Sequence, residues 1–258
     1  MTDNGKLGIS WIASFPKSGN TWLRFIAAHV LFDSGNDSKK VDVAVPDMHY
    51  STGGLVHQFE GAYVVKTHFP YGRLPDRFDF RKSAYVVRHP LDVVASSAQY
   101  LDSDGDPGEE LHLARQFVEF GNLQHWHSMG FGSWEDHVRS WLDAADSTDV
   151  LVLRYEDMLE DPRGAIANFA KHYGVSLGDE RIQQIAADTS FESMKALEEA
   201  DIDSGTGLFN TESKYKRRGF SFLQRGQSGR YKDVLTDELV DVLTKRFRPM
   251  METMGYDI

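Results

Sequence analysis

The segment Ser10–Phe25, SWIASFPKSGNTWLRF, constrains the fold more than any other part of the chain. An apolar, β-branched run stops at Pro-Lys-Ser-Gly-Asn-Thr and resumes as an amphipathic pattern, which predicts a strand, a tight loop and a helix. Such a loop aims unpaired backbone N–H groups and the positive end of a helix dipole at whatever it holds, so its ligand is expected to be an anion. A Walker A loop, G-x-x-x-x-G-K-[ST], does not fit: in register with Gly19-Asn20-Thr21, Asn20 stands at the lysine position and Ser14 at the first glycine. The lysine is Lys17, on the other side of the loop, while Trp22 in the first helical turn offers a ring face to a base. The alternative is an ordinary strand–helix turn with an exposed Lys17.

Further strands are predicted at Ala62–Lys66, Ala84–Arg88 and Val150–Arg154, alternating with amphipathic segments. The pattern predicts an α/β, P-loop-like three-layer fold, with a central mostly parallel sheet flanked by helices and ligand loops at the carboxyl ends of the strands. At 258 residues and 41% hydrophobic, the chain (1–258) is expected to form one domain. Beyond Tyr155 it reads largely helical, with a last helix from about Thr236. The acidic, Gly/Pro-punctuated stretch Leu101–Glu110 reads as a surface loop.

The strand ends carry the chemistry. In YVVKTHFP, alternation puts Lys66 and His68 on one side and Thr67 on the other, so a cation and a titratable base face one site. A strand-end histidine satisfied by backbone is the alternative, and it is the preferred reading for the other nine histidines. In AYVVRHPLDVVASS, Arg88 can grip an anion bidentately and Ser96 can add a hydroxyl, unless Arg88 simply pairs with Asp92. VLVLRYEDMLEDP ends in Tyr-Glu-Asp, where Asp157 could be a Walker B carboxylate holding Mg²⁺ in a nucleotide or small-molecule kinase. Trp134, Val138 and Trp141 at helical spacing are expected in the core, as are Phe191, Met194 and Leu197. Seven basic residues lie between Lys214 and Lys232 in a chain of net charge −11, which fits a solvated loop, a nucleic-acid contact or a local anion site.

PKSGNTW resembles the 5′-phosphosulfate loop of the soluble sulfotransferases that use PAPS (3′-phosphoadenosine 5′-phosphosulfate), and the small bacterial members in particular. The likeness runs from Trp11 to about Thr236 in four or five motifs in the correct order. It implies a sulfuryl transfer from PAPS to a hydroxyl, with an amine as second choice, of a small-molecule acceptor. By it, His68 is the general base, and Lys17 and Lys66 stabilise charge. Lys17, Ser18, Gly19, Asn20, Thr21 and Trp22 form the 5′ side of the nucleotide site. R-x-P-x-D-x-x-x-S matches Arg88, Pro90, Asp92 and Ser96 at the 3′-phosphate. Tyr155, Thr189 and Phe191 form the adenine pocket, with Phe191 opposite Trp22. FLQRGQSGRYKDVLT resembles the C-terminal Arg-Lys-Gly-x-x-Gly segment: Gln224 replaces its arginine and Arg225 its lysine, and Gly226 and Gly229 are kept. A family dimerisation pattern is only approximated, with Asp237 where a valine belongs and Asp241 for glutamate, so monomer and homodimer both stay open.

For such a transfer no metal is expected, because a sulfuryl group carries less charge than a phosphoryl and lysines can replace the metal that phosphoryl transfer needs. Absence of cysteine excludes a disulfide framework and a thiol nucleophile. The acidic balance argues against general affinity for nucleic acid or anionic membrane, and no run approaches the roughly 20 apolar residues of a membrane span. A cytoplasmic protein is the expectation.

Overall fold

A computed structural model describes residues 6–50, 54–101, 107–211, 223 and 226–258. The chain runs β1 (Leu7–Ser14), α1 (Asn20–Phe32), α2 (Ser38–Ala44), β2 (Gln58–Phe59), β3 (Ala62–Thr67), β4 (Phe78–Phe80), β5 (Ser83–Val87), α3 (Pro90–Leu101), α4 (Pro107–Phe120), α5 (Gln124–Ser128), α6 (Trp134–Ala145) and β6 (Val150–Arg154). It continues through α7 (Tyr155–Glu160), α8 (Pro162–His172), α9 (Asp179–Asp188), α10 (Phe191–Ser204), α11 (Tyr231–Val234) and α12 (Asp237–Thr253). The sheet order is β2-β3-β1-β5-β6, with β4 beside the start of β1. Every pairing is parallel except β2 with β3.

The fold is therefore α/β with a mostly parallel sheet covered on both faces. Alternation along β1 sorts its side chains: Ile9, Trp11 and Ala13, with Phe15 just beyond the strand, join one core with α3, α4, α6 and α12. Ile12 joins the other with α1, α8 and residues of α9 and α10. Trp134, Val138 and Trp141 are fully buried in the first core. The carboxyl ends of β1, β3 and β5 lie side by side where the order reverses around β1, the position at which open α/β sheets form their ligand crevice.

Local chemistry fixes the boundaries. Ser133, Asp161, Ser190 and Thr236 cap α6, α8, α10 and α12 by accepting amides of the first turn. One boundary differs from expectation. The stretch read as a loop to Glu110 is helical from Pro107, because a proline at the first helical position with Glu109 and Glu110 in the first turn suits a helix start. Among the described residues no helix is long and apolar enough to cross a membrane.

Candidate active site

The loop between β1 and α1 departs from ordinary backbone at two residues. Lys17 has φ 63° and Gly19 φ 100°, both in the left-handed region, and the 13-residue helix α1 starts directly after. Left-handed residues set among ordinary ones turn successive N–H groups to one side, and the helix adds its dipole, so the loop is built to cup an anion. Ser18 is fully buried, with a hydroxyl that has no partner among the described residues. Gly19 packs under the Tyr155 ring: a Cβ there would stand 2.5 Å from Tyr155 Cδ2. Trp22 meets the same ring edge-on at 5.8 Å. Asn20 turns its side-chain amide inward, donating to the Ile12 carbonyl (3.2 Å), the Ser14 hydroxyl (3.1 Å) and the Thr67 carbonyl (3.4 Å). It ties β1 to β3, leaving its backbone N–H for the loop. The Lys17 ammonium lies 4.0 Å from the centre of the Tyr100 ring.

Arg88, one residue beyond β5, joins the loop to the C-terminal region. Its Nη1 donates to the Lys17 carbonyl (3.1 Å), its Nη2 to the Gln227 carbonyl (2.9 Å), and its guanidinium covers the Tyr155 ring at 4.6 Å. Its Nε is buried without a partner among the described residues. The expected alternative, a pair with Asp92, is not what forms. Asp92 accepts from the Gly229 amide (2.7 Å), the Tyr231 amide (3.1 Å) and the Ser228 hydroxyl (3.2 Å), because exposed backbone N–H groups of the Gly-rich turn reach it first.

His68 stands just past β3. Its Nδ1 lies 2.9 Å from the Ser14 carbonyl, which can only accept, so Nδ1 carries the proton and Nε2 keeps its lone pair. Burial, with Lys66 beside it and Asp47 opposing, holds this imidazole well below its ordinary range, so it is neutral at pH 7. Its backbone is gripped on both sides of Cα. The N–H donates to His49 Nε2 (2.9 Å), and the carbonyl accepts from His137 Nε2 (3.2 Å). The Tyr85 hydroxyl faces His137 Nδ1 at 3.0 Å, and Trp141 Nε1 donates to the next carbonyl, of Phe69, at 3.1 Å. Burial pushes His137 down to about 3. Lys66 is buried and paired with Asp47 at 2.5 Å, which keeps that carboxyl ionised against its own burial.

Several expected residues meet at these strand ends and others do not. Phe191 lies against Gly226: a Cβ on Gly226 (φ 58°) would come within 2.6 Å of its ring. Thr189 is buried, and its hydroxyl donates to the Ile185 carbonyl of α9 at 2.8 Å. Ser96 is half-buried on α3. Arg225, Gln224 and most of the basic stretch lie outside the described residues. Asp157, the carboxylate that a kinase would need at its metal, has a 62% exposed side chain 3.8 Å from Arg154. Asp47, His49 and His137 were not singled out in the sequence, where each is an isolated polar residue. The signal that could have found His137 is its place between core tryptophans on α6, where a buried histidine must have partners.

The arrangement places an anion cradle, three cationic side chains and a neutral histidine with a free ring nitrogen at adjacent strand ends. The family model described as Sulfotransferase domain matches residues 9–255. The chain is similar to Sulfotransferase 1B1 of Canis lupus familiaris, 32% identical over 255 residues, covering 91% of this chain and 81% of the relative. It is also similar to 3-alpha-hydroxysteroid sulfotransferase of Cavia porcellus, 30% identical over 250 residues and covering 92% and 82%. Among solved structures it resembles mouse sulfotransferase SULT7A1 complexed with PAP, with TM-score 0.68, 22% identity and coverage of 95% and 84%. Retinol dehydratase in complex with androsterone and inactive cofactor PAP has TM-score 0.71, 18% identity and coverage of 99% and 84%. At these identities the two structures speak for the fold alone.

Proposed function

This chain belongs to the sulfotransferase domain family, and on that premise we propose that it moves a sulfuryl group from PAPS to a hydroxyl of a small-molecule acceptor by in-line transfer. His68 Nε2 takes the acceptor proton as the oxygen attacks sulfur. The bond from sulfur to the 5′-phosphate oxygen breaks, and adenosine 3′,5′-bisphosphate leaves. Lys17 stabilises the leaving phosphate, and Lys66 the transferred group. A sulfuryl group carries less charge than a phosphoryl, so cationic side chains take the place of a metal. The amides of Ser18–Thr21 and the Thr21 hydroxyl hold the 5′-phosphate. Arg88, Ser96 and Arg225 with Gly226 hold the 3′-phosphate, while Trp22, Tyr155, Thr189 and Phe191 enclose the adenine.

The observation that carries this reading is the double use of Ser14. Its carbonyl orients His68, and the chain leaving it runs on into the anion loop, so base and anion cradle are both fixed from the end of β1. The buried Ser18 hydroxyl and Arg88 Nε, unpartnered among the described residues, are donors of the kind a phosphate satisfies. The described strands share one sheet, which supports reading residues 1–258 as one sulfotransferase domain. Its proposed place is the cytoplasm and its proposed acceptor a small molecule, the acidic net charge of −11 disfavouring nucleic acid and anionic membrane.

Calorimetry with adenosine 3′,5′-bisphosphate in the absence of metal should give one-site binding, with none for ATP–Mg²⁺. Incubation with PAPS and a panel of phenols and alcohols should give products heavier by one SO₃. Binding of ATP–Mg²⁺ in place of the bisphosphate would overturn the reading.

A further inference from the structure

We propose that His49 is a positioning residue for the His68 imidazole, a role that rests on the reading of His68 as the proton acceptor. His49 Nε2 receives the His68 N–H at 2.9 Å. A second donor aims at the same atom. The Thr67 hydroxyl oxygen accepts the Phe69 amide (3.0 Å), which leaves its own proton for His49 Nε2 at 3.5 Å. The nitrogen between these donors must keep its lone pair, so His49 is neutral and carries its proton on Nδ1. A proton on Nε2 would set N–H against N–H and push the His68 backbone away.

The surroundings hold His49 in this state. Its ring is nearly parallel to that of His68 (13°, centroids 5.9 Å apart), while Phe69 and Phe131 close on it edge-on at 4.8 and 5.0 Å. Its backbone is fixed by Asp47, whose Oδ1 accepts the His49 amide at 2.9 Å and whose carbonyl accepts that of Tyr50. The charged groups facing it are the Lys66 ammonium and the Asp47 carboxylate. Burial and Lys66 lower its proton affinity and Asp47 raises it, for a net value of about 4. His137 grips the His68 carbonyl, in the next peptide along. With the peptides on both sides of His68 fixed and Nδ1 on Ser14, the direction of His68 Nε2 is set before any acceptor arrives.

The requirement is for an acceptor atom, which separates this role from mere packing. In the full chain, His49→Leu keeps most of the volume and loses the acceptor, whereas His49→Gln retains a carbonyl oxygen at similar reach. With PAPS and 2-naphthol as probe, His49→Leu should lower kcat about ten- to a hundredfold. Its affinity for adenosine 3′,5′-bisphosphate should stay within about twofold, because the nucleotide-side contacts are untouched, and His49→Gln should recover most of kcat. Wild-type turnover by His49→Leu, a loss seen in bisphosphate affinity instead of kcat, or a glutamine variant no better than leucine would each overturn the role. Two-bond ¹⁵N–¹H couplings of the wild-type rings decide it where His49→Leu does not fold: the Nδ1–H tautomer of His49 supports it, and the Nε2–H tautomer overturns it. Failure of the wild type to bind the bisphosphate would sink the sulfotransferase mechanism instead, a separate readout from the tautomer.

Discussion

Tyr155, the first residue of α7, packs its ring against Gly19 at the N-cap of α1, so two distant parts of the chain meet where the anion loop turns into its helix. Gly19 is constrained twice, by φ 100° and by the ring 2.5 Å from where a Cβ would stand. Gly19→Ala should therefore cost about 1–3 kcal/mol in backbone strain alone, before the ring is displaced. Denaturation and calorimetry should show lower stability and weaker bisphosphate binding. Adding Tyr155→Ala relieves the contact but not the φ, so stability should return only in part. An unperturbed Gly19→Ala would show that the loop tolerates another path.

Arg88 spans three features, the Lys17 carbonyl, the Gln227 carbonyl and the Tyr155 face. Lysine cannot reproduce that fork. Arg88→Lys should weaken adenosine 3′,5′-bisphosphate about ten- to a hundredfold, the worth of charge-assisted hydrogen bonds. Adenosine 5′-phosphate should lose less, since it lacks the 3′ group. The readout is the ratio of the two affinities by calorimetry. An unchanged ratio would place the 3′-phosphate elsewhere.

Acid should destabilise the fold through its neutral histidines. His137 is fully buried and titrates at about 3 when folded, against an ordinary value of 6.5. Between those values the unfolded chain binds a proton that the folded chain does not. Stability is thus complete above pH 6.5 and falls as pH drops, by about 1.4 kcal/mol per pH unit for one proton. His49 acts in the same direction down to about 4. His137→Asn removes one such proton, so its urea-derived stability should fall less steeply between pH 6 and 4.5 than that of the wild type. Parallel slopes would mean that His137 is protonated in the folded state.

The strand-end motifs were legible because loop, cap and strand-end chemistry is local. Pro16–Thr21, Arg88 and His68 each announce themselves within a few residues of an apolar run. What was not legible came from pairings across the chain. His49 reaches His68 over 19 positions and His137 over 69, with no periodicity linking them. Asn20 stands within an anion motif, yet its side chain serves the sheet, because the carbonyls of Ile12 and Thr67 converge beneath it. Asp92 at the right spacing for Arg88 turned to the Gly229 turn, since nothing in a single segment reveals which distant amides compete for a carboxylate.

Lys66 and Asp47 form a pair with about a tenth of each side chain exposed, 10% and 12%, directly beside the two stacked histidines. Removing one partner of a buried pair leaves the other charge uncompensated, at a cost of about 3–5 kcal/mol, and the residual exposure puts this pair at the lower end. Asp47→Asn should therefore lower stability and kcat together, because the same carboxylate holds the His49 amide. Adding Lys66→Met removes the stranded ammonium and should return most of the lost stability, since an apolar isostere substitutes well for a buried ion pair. Turnover should not return if Lys66 stabilises the transferred group. Denaturation and single-turnover kinetics on the two variants separate these effects: a double variant that regains both stability and rate would leave Lys66 a structural partner of Asp47 and pass the electrostatic work at sulfur to Lys17.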